Sequence, residues 1–462
     1  VGDAQFSASE ASALKASVSA PWNQQPVSFD AALSRVCVFA QFADGSYLCT
    51  DQVAANGNFA RRLFKLTGDP TGAYTAAVFP QTSTFGNLKN VAGTAVFDTN
   101  SGIQNAWIAS NGDVFFLWKN ATTNTYFVHR AKANTWTVGT DAGYSNFQAC
   151  IDVGRYGATH HTGIRVANAR GFLDFVNSAG VRTILIADYN VHVGRDFDGG
   201  AASGDASIVW RSTDGGATFT VFLEFNTGGT GTHRIDHFHG VVRDPYTGLI
   251  YFMTGDSGTE NNLIQWDGVS AAPAANATIA TIAATPGWRV KSGDELVRYT
   301  DLLFAPTCIY SIPDADNEAT ENTTKAFVST VIDKNLGWVA STAPVERVTD
   351  VPPVTAVRGV GWSAVISFTG PGAERYFHIW TINGNPEAGA SWTLVAKLKT
   401  YADPSPYPAG VPQHSFIDAA GDLWVAGVLG MGVQFSPETQ SASSVRLRPV
   451  PRRSAVNVYD LT

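Results

Sequence analysis

The stretch Ala106-Trp107-Ile108-Ala109-Ser110-Asn111-Gly112-Asp113-Val114-Phe115-Phe116 reads as two short apolar strands joined by a tight turn at Asn111-Gly112. Asn and Gly accept the positive φ that such a turn needs, and aromatic and β-branched residues suit the pleated strands on either side. The same grammar recurs along the chain. Val36-Cys37-Val38-Phe39 turns at Asp44-Gly45 into Tyr47-Leu48, and Val241-Val242 turns through Asp244-Pro245-Tyr246-Thr247-Gly248 into Ile250-Tyr251-Phe252. Ser415-Phe416-Ile417 turns at Gly421-Asp422 into Leu423-Trp424-Val425. Weaker copies run from Ile164 to Ile186, Ile208 to Phe225, Leu302 to Val331 and Trp362 to Leu398.

The copies stand roughly 40 to 70 residues apart, near the period of four-stranded propeller blades with loop insertions. A long row of hairpins would leave strand edges open to foreign pairing, whereas a radial arrangement keeps those edges short and protected. The expectation is an all-β chain folded as a β-propeller of about seven blades, one of them closed by strands from both ends of the chain. A pair of β-sandwiches is the alternative; the repeats are too long and uneven for a parallel β-helix. Ser7 and Glu10 stand at capping-box spacing before an Ala-rich run, so Phe6 to Ala20 reads as a short helix. The chain then divides into a helical attachment segment (1–28), the propeller (29–440) and a tail or closing strand (441–462).

Composition agrees with this division. Of 462 residues, 44% are apolar, enough for a full core, while only 15% are charged and Gly numbers 44, which suits strands and turns better than helices. A net charge of -8 argues against a nucleic-acid partner, since phosphate binding needs concentrated Lys and Arg. The basic cluster Arg446, Arg448, Arg452 and Arg453 is terminal and reads as a solvated tail or a contact to a larger assembly. No stretch approaches the roughly 20 apolar residues that would span a bilayer, so no membrane insertion is expected. Cys37 and Cys49 flank a hairpin and would pair if oxidised; Cys150 and Cys308 read as buried thiols. Val1 is followed by neither the basic region nor the apolar core of a leader, which fits a removed leader or a trimmed initiator Met, the latter suiting a virion protein. Three Asn-x-Ser/Thr sequons, at Asn120, Asn276 and Asn322, are near chance expectation.

After the strand Ile208-Val209-Trp210 comes Ser212-Thr213-Asp214-Gly215-Gly216-Ala217-Thr218-Phe219. This resembles the Asp-box, or bacterial neuraminidase repeat, Ser-x-Asp-x-Gly-x-Thr-Trp/Phe. Its chemistry is structural: the carboxylate accepts from turn N–H groups, the glycines allow positive φ, and the aromatic fills the space between strands. Ala390-Ser391-Trp392-Thr393 and Asn134-Thr135-Trp136-Thr137 keep a Trp-Thr ending as weak echoes. The resemblance implies a propeller that meets carbohydrate, whether as sialidase, other glycosidase, polysaccharide lyase or glycan binder. The chain departs from a typical sialidase: it lacks an Arg-Ile-Pro near the start of the propeller, where Arg234-Ile235-Asp236 is no substitute, and it lacks an arginine triad in motif context.

Histidines mark where inner strands begin. His160, His161, His192, His233, His237, His239 and His414 fall at such places, and inner strands open on the face where propellers usually take ligands. The richest run is His233-Arg234-Ile235-Asp236-His237-Phe238-His239, followed by Tyr251 and Thr254-Gly255-Asp256. On a strand His237 and His239 share a side, and near Asp236 or Asp256 they can hold a divalent metal or share a proton; equally, one can bond within the blade while the other faces solvent. Two imidazoles do not complete a metal's coordination sphere, so neither the metal nor any other cofactor is specified. A second constellation is Tyr189-Asn190-Val191-His192-Val193-Gly194-Arg195-Asp196. Eliminative cleavage of an acidic polysaccharide needs a base, a partner for the uronate carboxyl and an acid. The candidates are His192 or His237 as base, Arg195 or Arg234 as clamp, and Tyr189 or Tyr251 as acid, with His161, His239, His414, Asp236 and Asp256 as further ligand contacts. For hydrolysis by two carboxylates, Asp152, Asp188, Asp236 and Asp256 are available, though most Asp residues serve turns. Trp107, Trp118, Trp210, Trp266 and Trp424 would stack on sugar rings if exposed and belong to the core if not.

The reading that asks least is a glycan-recognition propeller outside a cell, secreted or on a virion surface, contacting polysaccharide through loops and central residues. A polysaccharide-degrading enzyme, lyase before hydrolase, and a structural protein-docking propeller are the alternatives.

Overall fold

Alternating apolar residues and glycine turns generate one unit repeatedly, an antiparallel pair closed by a five-residue turn. The computed structural model describes residues 23–26, 36–52, 60–71, 74–78, 102–120, 125–133, 149–155, 171–187, 192–193, 205–226, 235, 237–255, 260–275, 277–292, 299–304, 306–313, 330–337, 353–359, 362–368, 375–383, 391–401, 414–426, 434–435 and 444–448. The expected helix over Phe6 to Ala20 lies outside them.

The first meander is β2 (Val36–Gln41), β3 (Tyr47–Gln52), β4 (Ala60–Gly68) and β5 (Tyr74–Val78). A single register pair, Ala60 with Ile103, joins it to the second meander, β6 (Gly102–Ile108), β7 (Val114–Asn120), β8 (Thr125–Ala131) and β9 (Ala149–Arg155). In the next sheet β10 (Phe172–Val176), β11 (Arg182–Ala187), β13 (Asp205–Ser212) and β14 (Thr220–Asn226) lie side by side. The short β12 (His192–Val193) shares an edge of β13. Then follow β15 (Phe238–Arg243), β16 (Ile250–Thr254), β17 (Asn262–Trp266) and β18 (Trp288–Ser292), with helix α1 (Ile279–Ala284) between the last two. The next sheet holds β19 (Tyr299–Phe304), β20 (Cys308–Pro313) and β21 (Thr330–Asp333). After it come β22 (Pro353–Gly359), β23 (Trp362–Phe368), β24 (Arg375–Asn383) and β25 (Ser391–Tyr401), with β28 (Gln434–Phe435) at the edge.

The last sheet takes strands from both ends of the chain. β26 (His414–Ile417) pairs with β27 (Leu423–Ala426), β27 pairs with β29 (Ser444–Arg448), and β1 (Asn23–Pro26) pairs with β29 from outside. Pro26 is tolerated there because an edge strand needs no second ladder donor. First strands of successive sheets pack on one another around a circle: β2 on β6, β15 on β19, β19 on β22, β22 on β26, and β26 back on β2. Trp107 of β6 stacks on Phe172 of β10 at 5.5 Å, and β10 in turn packs on β15. The chain is an all-β propeller.

Apolar clusters fill the spaces between neighbouring sheets. Trp107, Phe115 and Ile151 of the second meander meet Ile184 and Ile186 of β11, and Tyr251 and Leu263 meet Leu302, Phe304 and Ile309 of the following sheet. Trp118, Trp266 and Trp424 are wholly or almost wholly buried, Trp107 nearly so, and Trp210 is half-buried against the cluster, so these indoles serve the core.

The turns share one geometry. In the β2–β3 turn Phe42 N–H donates to Ser46 C=O and Gly45 N–H to Phe42 C=O; the pattern returns at Ala109, Asn177 and Asp418. The fourth residue sits at φ +84 in Gly45, +82 in Gly112, +78 in Gly180 and +84 in Gly421, the left-handed region that glycine reaches without penalty. After β21 the equivalent residue is Leu336 at φ +66, a non-glycine held there by its burial in the cluster around Tyr251.

Two expectations are corrected. Arg446 is no solvated tail residue: it is 5% exposed, lies over the Trp424 ring, and its guanidinium reaches Asp69 Oδ1 at 3.0 Å and donates to Thr71 Oγ1 at 2.7 Å. A charge run in sequence does not reveal that β29 must pair inside a sheet and carry this arginine to the first meander. The same seam holds Tyr47 Oη donating to Asp418 Oδ2 at 3.2 Å and Ala419 N–H donating to Gln41 Oε1 at 2.7 Å. Cys49 is a free, buried thiol. The register opposes Val38 to Cys49 and Cys37 to Thr50, so the two cysteines occupy positions on opposite faces of the hairpin and do not pair. Cys150 and Cys308 are also free thiols, the first half-buried and donating to Val128 C=O at 3.2 Å, the second buried.

Candidate functional site

The histidine-rich run ends in β15. Phe238 opposes Thr254 and Gly240 opposes Met253, so His239 is the extra residue of a bulge. The rings of His237 and His239 meet with centroids 4.8 Å apart and Nε2 atoms 2.9 Å apart. His239 Nδ1 lies 2.8 Å from the carbonyl oxygen of Tyr299, on the first strand of the next sheet. A carbonyl only accepts, so His239 carries its proton on Nδ1 and turns the lone pair of Nε2 toward His237, whose Nε2–H donates. Both rings are nearly enclosed, at 6% and 2% exposure.

Beside this pair the chain makes a tight corner. Gly255 N–H donates to His237 C=O at 3.2 Å, with φ at +86. A Cβ at Gly255 would stand 2.1 Å from Glu260 C=O, so only glycine allows the backbone of 260 to come this close. Glu260 C=O accepts from Thr254 Oγ1 at 2.7 Å and from Asn262 Nδ2 at 2.9 Å. Asn261, between them, is wholly buried, and among the described residues neither its amide nitrogen nor its amide oxygen has a hydrogen-bond partner. An unanswered buried amide is disfavoured by roughly 1 to 3 kcal/mol.

The structure brings His237 and His239 together. Tyr251 lies elsewhere: every residue of β16 is buried, and its phenol sits in the cluster with Phe304 and Leu302, with Oη accepting from Gln265 Nε2 at 2.8 Å. Burial pushes this phenol well above the usual tyrosine range, so it is not placed to meet a substrate as an acid. His192 opens β12 opposite Ala206, and His414 opens β26 opposite Ala426. Tyr189, Arg195, Arg234, His161, Asp236 and Asp256 lie outside the described residues. Sequence reasoning passed over Asn261 and the Tyr299 carbonyl. The polar run Glu260-Asn261-Asn262 directly ahead of apolar Leu263-Ile264 was the available signal for the first; a backbone acceptor leaves none. Among the described residues no group of three or more His, Cys, Asp or Glu side chains is gathered as a metal site.

The turn after β13 is built by its motif residues. Asp214 Oδ1 accepts from Ala217 N–H at 2.9 Å, Thr218 N–H at 3.0 Å and Ser212 Oγ at 2.7 Å, while Oδ2 accepts from Thr218 Oγ1 at 2.6 Å. Ser212 Oγ accepts in turn from Gly216 N–H at 2.8 Å. Partial burial would raise the Asp214 carboxyl, but bonds from Thr218, Ser212 and Ala217 outweigh it and hold the group well below the usual range. Phe219 meets Phe115 of the preceding sheet edge to face, with centroids 6.1 Å apart.

Among the described residues no helix is long and apolar enough to cross a membrane. No protein-family model matches the chain, and no curated protein does. Among solved structures it is similar to a puromycin hydrolase mutant at 12% identity and TM-score 0.41, over 88% of this chain and 52% of that one. The chain thus spans about half the length of that hydrolase. It is similar to a PQQ-bound aldose sugar dehydrogenase from Streptomyces coelicolor at 11% identity and TM-score 0.38, covering 93% and 99%. A polysaccharide lyase is similar at 10% identity and TM-score 0.39, covering 92% and 91%.

Proposed function

We propose that the chain is a glycan-recognition propeller of the Asp-box kind, with seven blades, displayed outside a cell or on a virion surface. The blade count treats the eight-stranded sheet as two meanders, which turns six sheets into seven units. The observation that carries the reading is the turn from Ser212 to Phe219, where Asp, Ser and Thr answer one another as the Asp-box motif requires. Recognition is favoured over cleavage because the Tyr251 phenol is wholly buried, which leaves a base without that acid.

The test is a glycan array with the full chain, followed by analysis of each bound glycan for shortened or unsaturated products. Binding without product is the expected result. Product formation would transfer the case to the lyase reading, and silence on every glycan would end the carbohydrate reading altogether.

A further inference from the structure

We propose that His237 and His239 bind a divalent transition ion of the zinc class at the centre-facing start of β15. Two imidazole nitrogens on one such ion, each roughly 2.0 to 2.1 Å from it, stand about 2.8 to 3.4 Å apart for angles between right and tetrahedral. The two Nε2 atoms stand 2.9 Å apart, inside that range toward its right-angle end, so an ion binds both once the two lone pairs turn from each other to a shared point. His239 already has the outer arrangement typical of a ligating histidine, its other ring N–H given to a backbone carbonyl, here Tyr299. That bond leaves the Nε2 lone pair directed at the site whether or not an ion is bound. His237 ligates through Nε2 with its proton on Nδ1, so binding by a neutral pair takes up and releases no net proton.

The donor set decides the class of ion. Two imidazole nitrogens suit Zn²⁺, Co²⁺, Ni²⁺ or Cu²⁺, whereas Ca²⁺ and Mg²⁺ take oxygen ligands. Two protein ligands leave the remaining positions to oxygen donors, water first, so the site is weaker than a four-ligand structural site. The bulge at His239 is the device that makes it: an added residue breaks the ladder between Phe238 and Gly240 and turns the second ring onto the first. The inference needs no carbohydrate and stands apart from the glycan reading.

The experiment uses the full chain, stripped with chelator and then dialysed against a tenfold molar excess of Zn²⁺, with bound metal counted and Ca²⁺ run in parallel. The expected result is one zinc retained per chain, calcium not retained, and at least a tenfold loss of zinc affinity in His237→Gln and in His239→Gln. Should either variant fail to fold, X-ray absorption on the zinc-loaded or Co²⁺-loaded natural chain reads the ligands directly and should show two imidazoles. Zinc uptake unchanged in both folded variants, an absorption spectrum without imidazole scattering, or no uptake by the natural chain would each overturn the proposal.

Discussion

The turn from Ser212 to Phe219 and the corner from Thr254 to Asn262 lie in adjacent sheets, and both pack polar side chains against glycine. In the turn every motif side chain that can bond does so: Asp214 takes four groups, and Ser212 both gives and receives. In the corner the glycine brings the backbone equally close, yet Asn261 is buried with neither amide atom answered. The first arrangement is what stability alone selects. The second departs from it next to the His237–His239 pair, and the departure separates scaffold from site.

The largest test of this contrast is Gly216→Ala. A methyl there would stand 2.2 Å from Phe115 Cζ at φ +86, so a loss of about 3 kcal/mol or more is expected in denaturant unfolding. A change under about 1 kcal/mol would mean that Phe115 yields and that the turn does not clamp neighbouring sheets. Next is Asp214→Ala, expected to remove about 1 to 2 kcal/mol through the lost acceptors. Because the folded carboxyl is held below its ordinary value, its contribution is complete above pH about 4 and is lost as pH falls through the lowered folded value. Asp214→Asn should therefore be less sensitive to acid than the natural chain, and equal acid profiles would refute the assignment. Gly45→Ala should lose only about 1 kcal/mol, since its φ of +84 is strained for alanine but no atom lies within 4 Å of the added methyl. Leu336 shows that this turn position tolerates a side chain. Smallest and of opposite sign is Asn261→Leu, which should gain up to about 1 kcal/mol by removing an unanswered amide. Destabilisation by that change would show the amide to be paired and dissolve the contrast.

The fold was largely legible because its signals are local. A glycine at the fourth turn position, flanked by alternating strands, is written within a dozen residues, and the hairpins at Val36, Ala106, Val241 and Ser415 all form. The turn from Ser212 to Phe219 is equally self-contained. What failed depended on distant partners: Arg446 reads as tail charge until Asp69 and Thr71 meet it across the closing seam. Cys37 and Cys49 read as a pair until the register sets them on opposite faces. Of the candidate site, the proximity of His237 and His239 followed from strand alternation, but the bulge that turns their nitrogens together did not. Tyr251 shared their neighbourhood in sequence; the next sheet's apolar face, supplied by Leu302, Phe304 and Ile309, decided where its ring went.

The pairing of β1 with β29 has a mechanical consequence. Asn23 lies opposite Arg448 and Pro26 opposite Val445, so the flanking chain enters and leaves the ladder at the same end. Tension drawn outward through both flanks would load the Asn23–Arg448 pair first and unzip the ladder rung by rung, instead of shearing all rungs together.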